Sequence, residues 1–156
     1  RAALVNPEDY EARSNIMWCA TMGLNTITGL SKEQDWEVHM IEHQLGAYTD
    51  CAHGAGLAAI SVPYYKYIAP YGKDKFVRFA KNVWGINTDN MSADDAISAG
   101  IEKLKEFIVL LGLPLTLREL GATEDMLEPI ANSTVLGGGY KQMKPEDILK
   151  VLKECF

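Results

Sequence analysis

Apolar residues recur at intervals of three and four through most of this chain, and no stretch alternates with period two for long enough to build a sheet. That periodicity restricts the fold to helices packed on helices, an all-α, irregular multi-helix bundle. Asn6-Pro7-Glu8-Asp9 reads as an N-cap followed by proline at the first helical position and acidic residues in the first turn, where the helix dipole favours them. The helix it opens is expected to run to about Gly29. Its apolar positions Ile16, Met17, Ala20, Met22, Leu24 and Ile27 occupy so wide a surface that burial is expected. Ser31 to Gln34 fits a capping box and predicts a second helix that ends near Gly46 or Ala47.

A third helix is expected from AHGAGLAAISVPYYKYIA, residues 52–69, with Pro63 kinking or ending it. GKDKFVRFAKNVWG predicts a short amphipathic helix, and Ser92-Ala93-Asp94-Asp95 opens another that runs through IEKLKEFIVLLG. Both end on glycine, a C-cap signal. LREL, a TEDMLEPIANS helix and a final PEDILKVLKEC helix complete the pattern. Gly137-Gly138-Gly139 follows a helix rather than a strand, so it reads as a connector and not as a phosphate-binding loop.

At 156 residues with 47% apolar content the chain is expected to form one domain, residues 1–156, with an ample core. The opening RAALVNPEDY has no charged-then-apolar leader, so no signal or transit peptide is expected in it. GLAAISVP and FIVLLGLPL fall far short of the roughly 20 residues that cross a bilayer, so no membrane association is expected. A net charge of −6 without a basic run argues against nucleic acid as a partner. Cys19, Cys51 and Cys155 are odd in number and widely spaced, which points to a reducing compartment and a cytoplasmic protein.

All three histidines fall within HMIEHQLGAYTDCAH, from His39 to His53. His39 and His43 differ by four and so project from one helix face a turn apart, the separation that lets two imidazoles share a metal. His53 follows across a turn. Neutral imidazole suits zinc or ferrous iron, but three histidines fall short of four ligands. Spacing alone therefore leaves a metal site and a packing pair both open. His39-Met40-Ile41-Glu42-His43 also matches the H-x-x-E-H of inverted zincin peptidases, in which the glutamate activates water. That pattern is short, and Glu42 reads more simply as a solvent-facing helix residue or a member of a local ion pair.

The longer run WEVHMIEHQLGAYTDCAHGAGLAAISVPYYKY, residues 36–67, resembles the signature of the iron-containing (group III) alcohol dehydrogenases. In that signature H-x-x-x-H-x-L-G-A leads through a short loop to a further histidine, a small residue and a helix ending in proline. NPEDYEARSNIMWCATMGLN and LGLPLTLRELGATEDMLEPIA resemble flanking helices of the butanol dehydrogenase-like branch, so the likeness covers essentially the whole chain. Ala52 departs from the proline, threonine or aspartate that often precedes the last histidine.

The resemblance implies a two-domain enzyme whose N-terminal nucleotide-binding domain is absent here, leaving the helical domain that carries most of the metal site. It implies hydride transfer between NADH or NADPH and a small primary alcohol or aldehyde, such as butanol or butyraldehyde, with Fe2+ or Zn2+ as Lewis acid. His39 and His53 match two of the family's four metal ligands, and the other two, an Asp and a His, would lie upstream. His43 matches a histidine near both metal and nicotinamide, a catalytic and cofactor-side residue. The resemblance further implies a homodimer for the full-length enzyme and no turnover by this chain alone. The other hypothesis is a non-catalytic helical module whose histidine cluster is structural or incidental.

Three neighbouring features take plainer readings. Cys51 is expected as a small apolar filler rather than a thiolate ligand. Trp18, Trp36 and Trp84 are expected as core anchors, with a pocket wall as the second reading for Trp18. Gly46, Gly54 and Gly56 are expected to permit close helix approach around the histidines.

Overall fold

A computed structural model describes residues 1–137 and 139–156. The fold is all-α, with no strand among the described residues. The chain divides into two compact units, Arg1–Gln34 and Asp35–Phe156.

In the first unit, α1 (Ala2–Val5) is a single turn, α2 (Tyr10–Leu24) is the main helix, and a 3-10 turn spans Ile27–Gly29. The start of α2 lies three residues later than Pro7 because Asp9 and not Asn6 is the cap. The Asp9 carboxylate accepts from the Ala12 N–H at 2.9 Å, while the Asn6 side chain accepts from Glu8 N at 3.2 Å and closes its own turn. The helix stops at Leu24, before Thr26, whose φ of 69° no α-helix accommodates.

The expected burial of this helix is not found. Met17 is 72% exposed, Trp18 65% and Ile16 56%, and α2 contains no buried residue. Its apolar side chains are spread around the helix instead of forming one stripe, and 34 residues are too few to enclose them. Trp18 is accordingly no core anchor within this unit.

The second unit carries the core. Its helices are α3 (Glu37–Thr49), α4 (His53–Ile68), α5 (Lys73–Trp84), α6 (Ala93–Leu110), α7 (Glu124–Ser133) and α8 (Pro145–Glu154), with 3-10 turns at Ala69–Tyr71 and Arg118–Leu120. The hub is α4, which packs against α3, α6 and α8; α5 pairs with α6, and α7 with α8 and α3. Gly56, Ala58, Ala59, Ile60, Val62, Tyr64 and Ile68 of α4 are buried, the all-round apolar surface that a central helix requires. Pro63 does not end α4, which continues five residues beyond it. Ile41 and Leu45 of α3, Ile101 of α6, Ile130 of α7 and Ile148 and Leu152 of α8 close around this hub.

Most of the punctuation works by local chemistry. Ser92 Oγ accepts from Asp95 N at 3.1 Å to start α6, and Gly85 at φ 67° and Gly112 at φ 69° supply the left-handed residues after α5 and α6. Ser31 does not start α3: at φ 60° it is outside any helix-initiating conformation, and Asp35 takes over by accepting from Glu37 N at 2.9 Å. The helix then extends to Thr49 and turns at Asp50, φ 52°.

Candidate metal centre

The first half of α3 and the N-terminus of α4 make the site. His39 and His43 lie one turn apart on α3; the chain reverses through Asp50–Ala52, and His53 is the first residue of α4. The pairing of α3 with α4 brings one ring nitrogen from each imidazole within 4.8 Å of the other two. Ring centroids are 5.2 Å apart for His39 and His53, 5.5 Å for His43 and His53, and 6.4 Å for His39 and His43. Nitrogens bound to one tetrahedral zinc or iron ion, each at roughly 2.1 Å, lie about 3.4 Å apart, so closure of about 1.4 Å or less brings all three onto a common ion. The donor set is imidazole throughout, which fits a first-row divalent metal.

The rings differ in surroundings. His39 is half-buried, with Trp36 at 5.0 Å between centroids, whereas His43 and His53 are exposed. Burial lowers the pKa of His39 below the ordinary histidine value, and His53 and His43 push it the same way against the opposing pull of Glu42. Its nitrogen lone pair is therefore available at neutral pH.

Glu42 is not the solvent-facing residue expected of it. It is only 2% exposed, and its Oε2 meets His53 Nδ1, the local ion-pair alternative in its most buried form. The helical stripe explains why: Val38, Ile41, Glu42 and Leu45 stand at i, i+3, i+4 and i+7, and all four are buried. A carboxylate directed at His53 is not placed to activate water as the glutamate of a peptidase would. Of the three glycines, Gly56 has the closest neighbour, since a Cβ there would lie 2.6 Å from Glu42 Cγ. Gly46 would meet Glu42 Oε1 at 3.5 Å, and Gly54 faces open space.

Further residues support the start of α3 and escape detection by motif. Glu37, 1% exposed, accepts from Gly137 N at 2.6 Å. Burial raises its pKa, the Gly137 N–H opposes that, and the Asp35 charge adds to it. Asp35 takes the Tyr64 hydroxyl on both oxygens at 3.0 and 2.8 Å, and a Cβ on Gly139 would lie 2.7 Å from its Cγ. Gly137 and Gly139 are thus docked against α3, which a connector need not be; Gly138 lies outside the described residues. Asp35 and His39 share the Asp-x-x-x-His spacing of a ligand pair, but the bonds to Tyr64 and Glu37 N occupy Asp35 before α3 begins. Cys51 is half-buried and packs on the core as filler. Trp36 lies against His39 with the two rings tilted by 56°, and Trp84 is half-buried between Phe79 and Phe107 at 5.8 and 5.9 Å.

An all-α bundle that gathers three imidazoles from α3 and the start of α4 belongs to the class of helical domains that carry a candidate metal centre. More specifically, the chain belongs to the Fe-containing alcohol dehydrogenase family, whose C-terminal region matches residues 1–156. It is 38% identical to NADH-dependent butanol dehydrogenase B of Clostridium acetobutylicum over 97% of this chain and 40% of that protein. It is 34% identical to the NADPH-dependent aldehyde reductase YqhD of Escherichia coli, over 76% of this chain and 30% of that one. The crystal structure of NADH-dependent butanol dehydrogenase A from Thermotoga maritima superposes with a TM-score of 0.90 at 30% identity, over 99% of this chain and 41% of that one. The chain spans about two fifths of the length of the butanol dehydrogenases it matches. No helix among the described residues is long and apolar enough to cross a membrane.

Proposed function

We propose that this chain forms the metal-binding helical part of an NAD(P)-dependent alcohol dehydrogenase or aldehyde reductase acting on small primary alcohols and aldehydes, of which butanol and butyraldehyde are examples. The observation that carries the proposal is the convergence of His39, His43 and His53 within 4.8 Å of one another. The matched proteins, named as NADH-dependent butanol dehydrogenases and an NADPH-dependent aldehyde reductase, support the substrate class and leave both nicotinamides in play.

His39 and His53 are the metal ligands in this reading, and imidazole accepts Fe2+ and Zn2+ alike. His39 and His53 would hold the ion, which when bound would supply Lewis acidity at the substrate oxygen, and a nicotinamide held by a nucleotide-binding domain outside this chain would supply or accept the hydride. His43 is the catalytic and cofactor-side residue. Exposed beside the other two rings, it takes the hydroxyl proton on oxidation, returns it on reduction, and exchanges it with solvent. The working enzyme is read as a cytoplasmic homodimer that neither binds nucleic acid nor inserts into membranes.

The test is elemental analysis of the full-length parent, paired with NADH and NADPH oxidation in the presence of butyraldehyde, before and after chelation and return of iron or zinc. Activity should vanish with the metal and return with it. His39→Ala and His53→Ala should each lose metal and activity together. His43→Ala should keep its metal while turnover falls by roughly 10²–10⁴-fold. A parent that holds no metal and oxidises no cofactor would establish the non-catalytic module, and metal retained in His39→Ala or His53→Ala would overturn the ligand assignment.

A further inference from the structure

We infer that Glu42 is a positioning residue that fixes the tautomer and orientation of His53, and that Gly56 is the recess through which it reaches. The inference rests on the metal-centre reading above. Its physical basis is the fate of a carboxylate carried on the buried stripe of α3. A carboxylate on a side chain 2% exposed must find a polar partner, because an unpaired buried charge is strongly destabilising. Glu42 finds one in His53 Nδ1. Glu42 belongs to α3 and His53 opens α4, so the contact ties the two helices at the point where the three rings converge.

The chemical consequence follows from the two nitrogens of imidazole. A carboxylate accepts, so His53 Nδ1 must carry the proton in this contact, and the lone pair of the neutral ring is confined to Nε2. The Nε2 atom is thereby selected as the metal-binding nitrogen before any metal arrives. His53 needs this selection, because its side chain is 50% exposed and packing alone holds it loosely. A hydrogen-bonded carboxylate also makes the imidazole a better electron donor, and loss of such partners typically weakens metal affinity 10–100-fold.

Gly56 makes the contact possible. It lies three residues into α4 from His53, and an added Cβ would fall 2.6 Å from Glu42 Cγ and 2.8 Å from Oε1. The space that a side chain would fill at position 56 is occupied by the carboxylate arm. Alanine there should displace Glu42 from His53 while leaving every ring in the chain.

The experiment is zinc affinity of the full-length enzyme by chelator competition, for wild type, Glu42→Ala, Glu42→Gln, Gly56→Ala, the Glu42→Ala/Gly56→Ala double variant and His53→Ala. It is paired with nitrogen NMR of 15N-histidine-labelled, zinc-loaded protein to read the tautomer. Glu42→Ala should bind zinc 10–100-fold more weakly, with His53 losing its protected Nδ1–H signal. Glu42→Gln, whose amide oxygen still accepts from Nδ1–H, should recover most of the affinity together with the protected Nδ1–H signal; a role in net charge alone would not restore the affinity, and a role in packing alone would not restore the signal. Gly56→Ala should weaken zinc binding, and adding it to Glu42→Ala should weaken binding no further, because it acts through Glu42. Wild-type zinc affinity in Glu42→Ala would overturn the inference, as would the same affinity in Gly56→Ala if Glu42→Ala failed to fold. Wild-type affinity in His53→Ala would instead remove the metal-centre reading itself, so the two failures are distinct.

Discussion

The first unit, Arg1–Gln34, and the second, Asp35–Phe156, are both helical and both rich in apolar residues, yet only the second buries them. α2 leaves Met17, Trp18 and Leu24 more than 60% exposed, while Ile41, Leu45 and Ile60 of α3 and α4 are fully enclosed. The comparison separates two properties that a periodic sequence tends to merge. Helix formation needs a cap and a run of competent residues, which α2 has in Asp9 and the fifteen residues after it. Burial needs a narrow stripe and a partner of matching width. The stripe of α3 at positions 38, 41, 42 and 45 meets both conditions, and it is the helix that carries two of the three histidines.

The largest effect should come from cutting into one side of that contrast and not the other. Leu45→Ala removes a fully buried side chain and should lower the unfolding free energy of this chain by about 3 kcal/mol in a urea titration. Met17→Ala, on a side chain 72% exposed, should stay within about 0.5 kcal/mol of wild type. Comparable losses from the two substitutions would erase the distinction.

A smaller effect tests whether polar contacts in the packed unit carry stability as its core does. Lys141 Nζ pairs with Asp147 Oδ2, the Tyr67 hydroxyl donates to Oδ1 at 2.5 Å, and the N–H of Lys144 donates to Oδ2 at 3.1 Å at the start of α8. Burial by itself would raise the Asp147 carboxyl, but the bonds from Lys141, Tyr67 and the Lys144 N–H outweigh it and hold the group below the ordinary carboxylate value. A carboxyl held low when folded stabilises above its unfolded pKa, about 3.9, and that contribution is lost as pH falls through the folded value. Asp147→Asn should therefore cost about 2 kcal/mol at pH 7, less than a fully buried pair because both partners keep some water contact. The gap between variant and wild type should narrow below about pH 4. A gap that stays constant down to pH 3 would show that the ionised group contributes nothing.

How much of this was legible in the sequence depends on the reach of each interaction. Ser92, Gly85, Gly112 and Pro145 act within a turn of their own helices, and their positions follow from local chemistry alone. The start of α3 does not, because Glu37 and Asp35 are fixed by Gly137, Gly139 and Tyr64, partners about 30 to 100 residues away that no capping pattern contains. The histidines divide in the same way. His39 and His43 declare themselves by helical spacing, while His53 comes to them through the pairing of α3 with α4. Glu42 was hidden by the habit of assigning charge to the solvent side. The signal was present, since it occupies the i+4 place of a stripe whose other members are Val38, Ile41 and Leu45.

The smallest effect compares the same device in both units. Asp9 and Ser92 are each N-caps whose side-chain oxygen accepts from a backbone N–H three residues on, at 2.9 and 3.1 Å. Replacing either by alanine removes a capping hydrogen bond of similar geometry, worth about 1 kcal/mol, and Ser92→Ala also removes the exposed bond that Ser92 Oγ donates to Asp95 Oδ2 at 2.6 Å. What differs is the helix each one starts: α6 buries Ala96, Ile97, Gly100, Ile101 and Ile108, and α2 buries nothing. The loss from Ser92→Ala should therefore appear in the cooperative unfolding of the packed unit, as a midpoint shift seen by every probe of α6. The loss from Asp9→Ala should appear as amide exchange of α2 accelerated by about fivefold, the equivalent of ~1 kcal/mol, against protection that is low at the outset. If Asp9→Ala moved the cooperative midpoint as far as Ser92→Ala does, α2 would have to unfold in one step with the packed unit, and the contrast between the two units would fail.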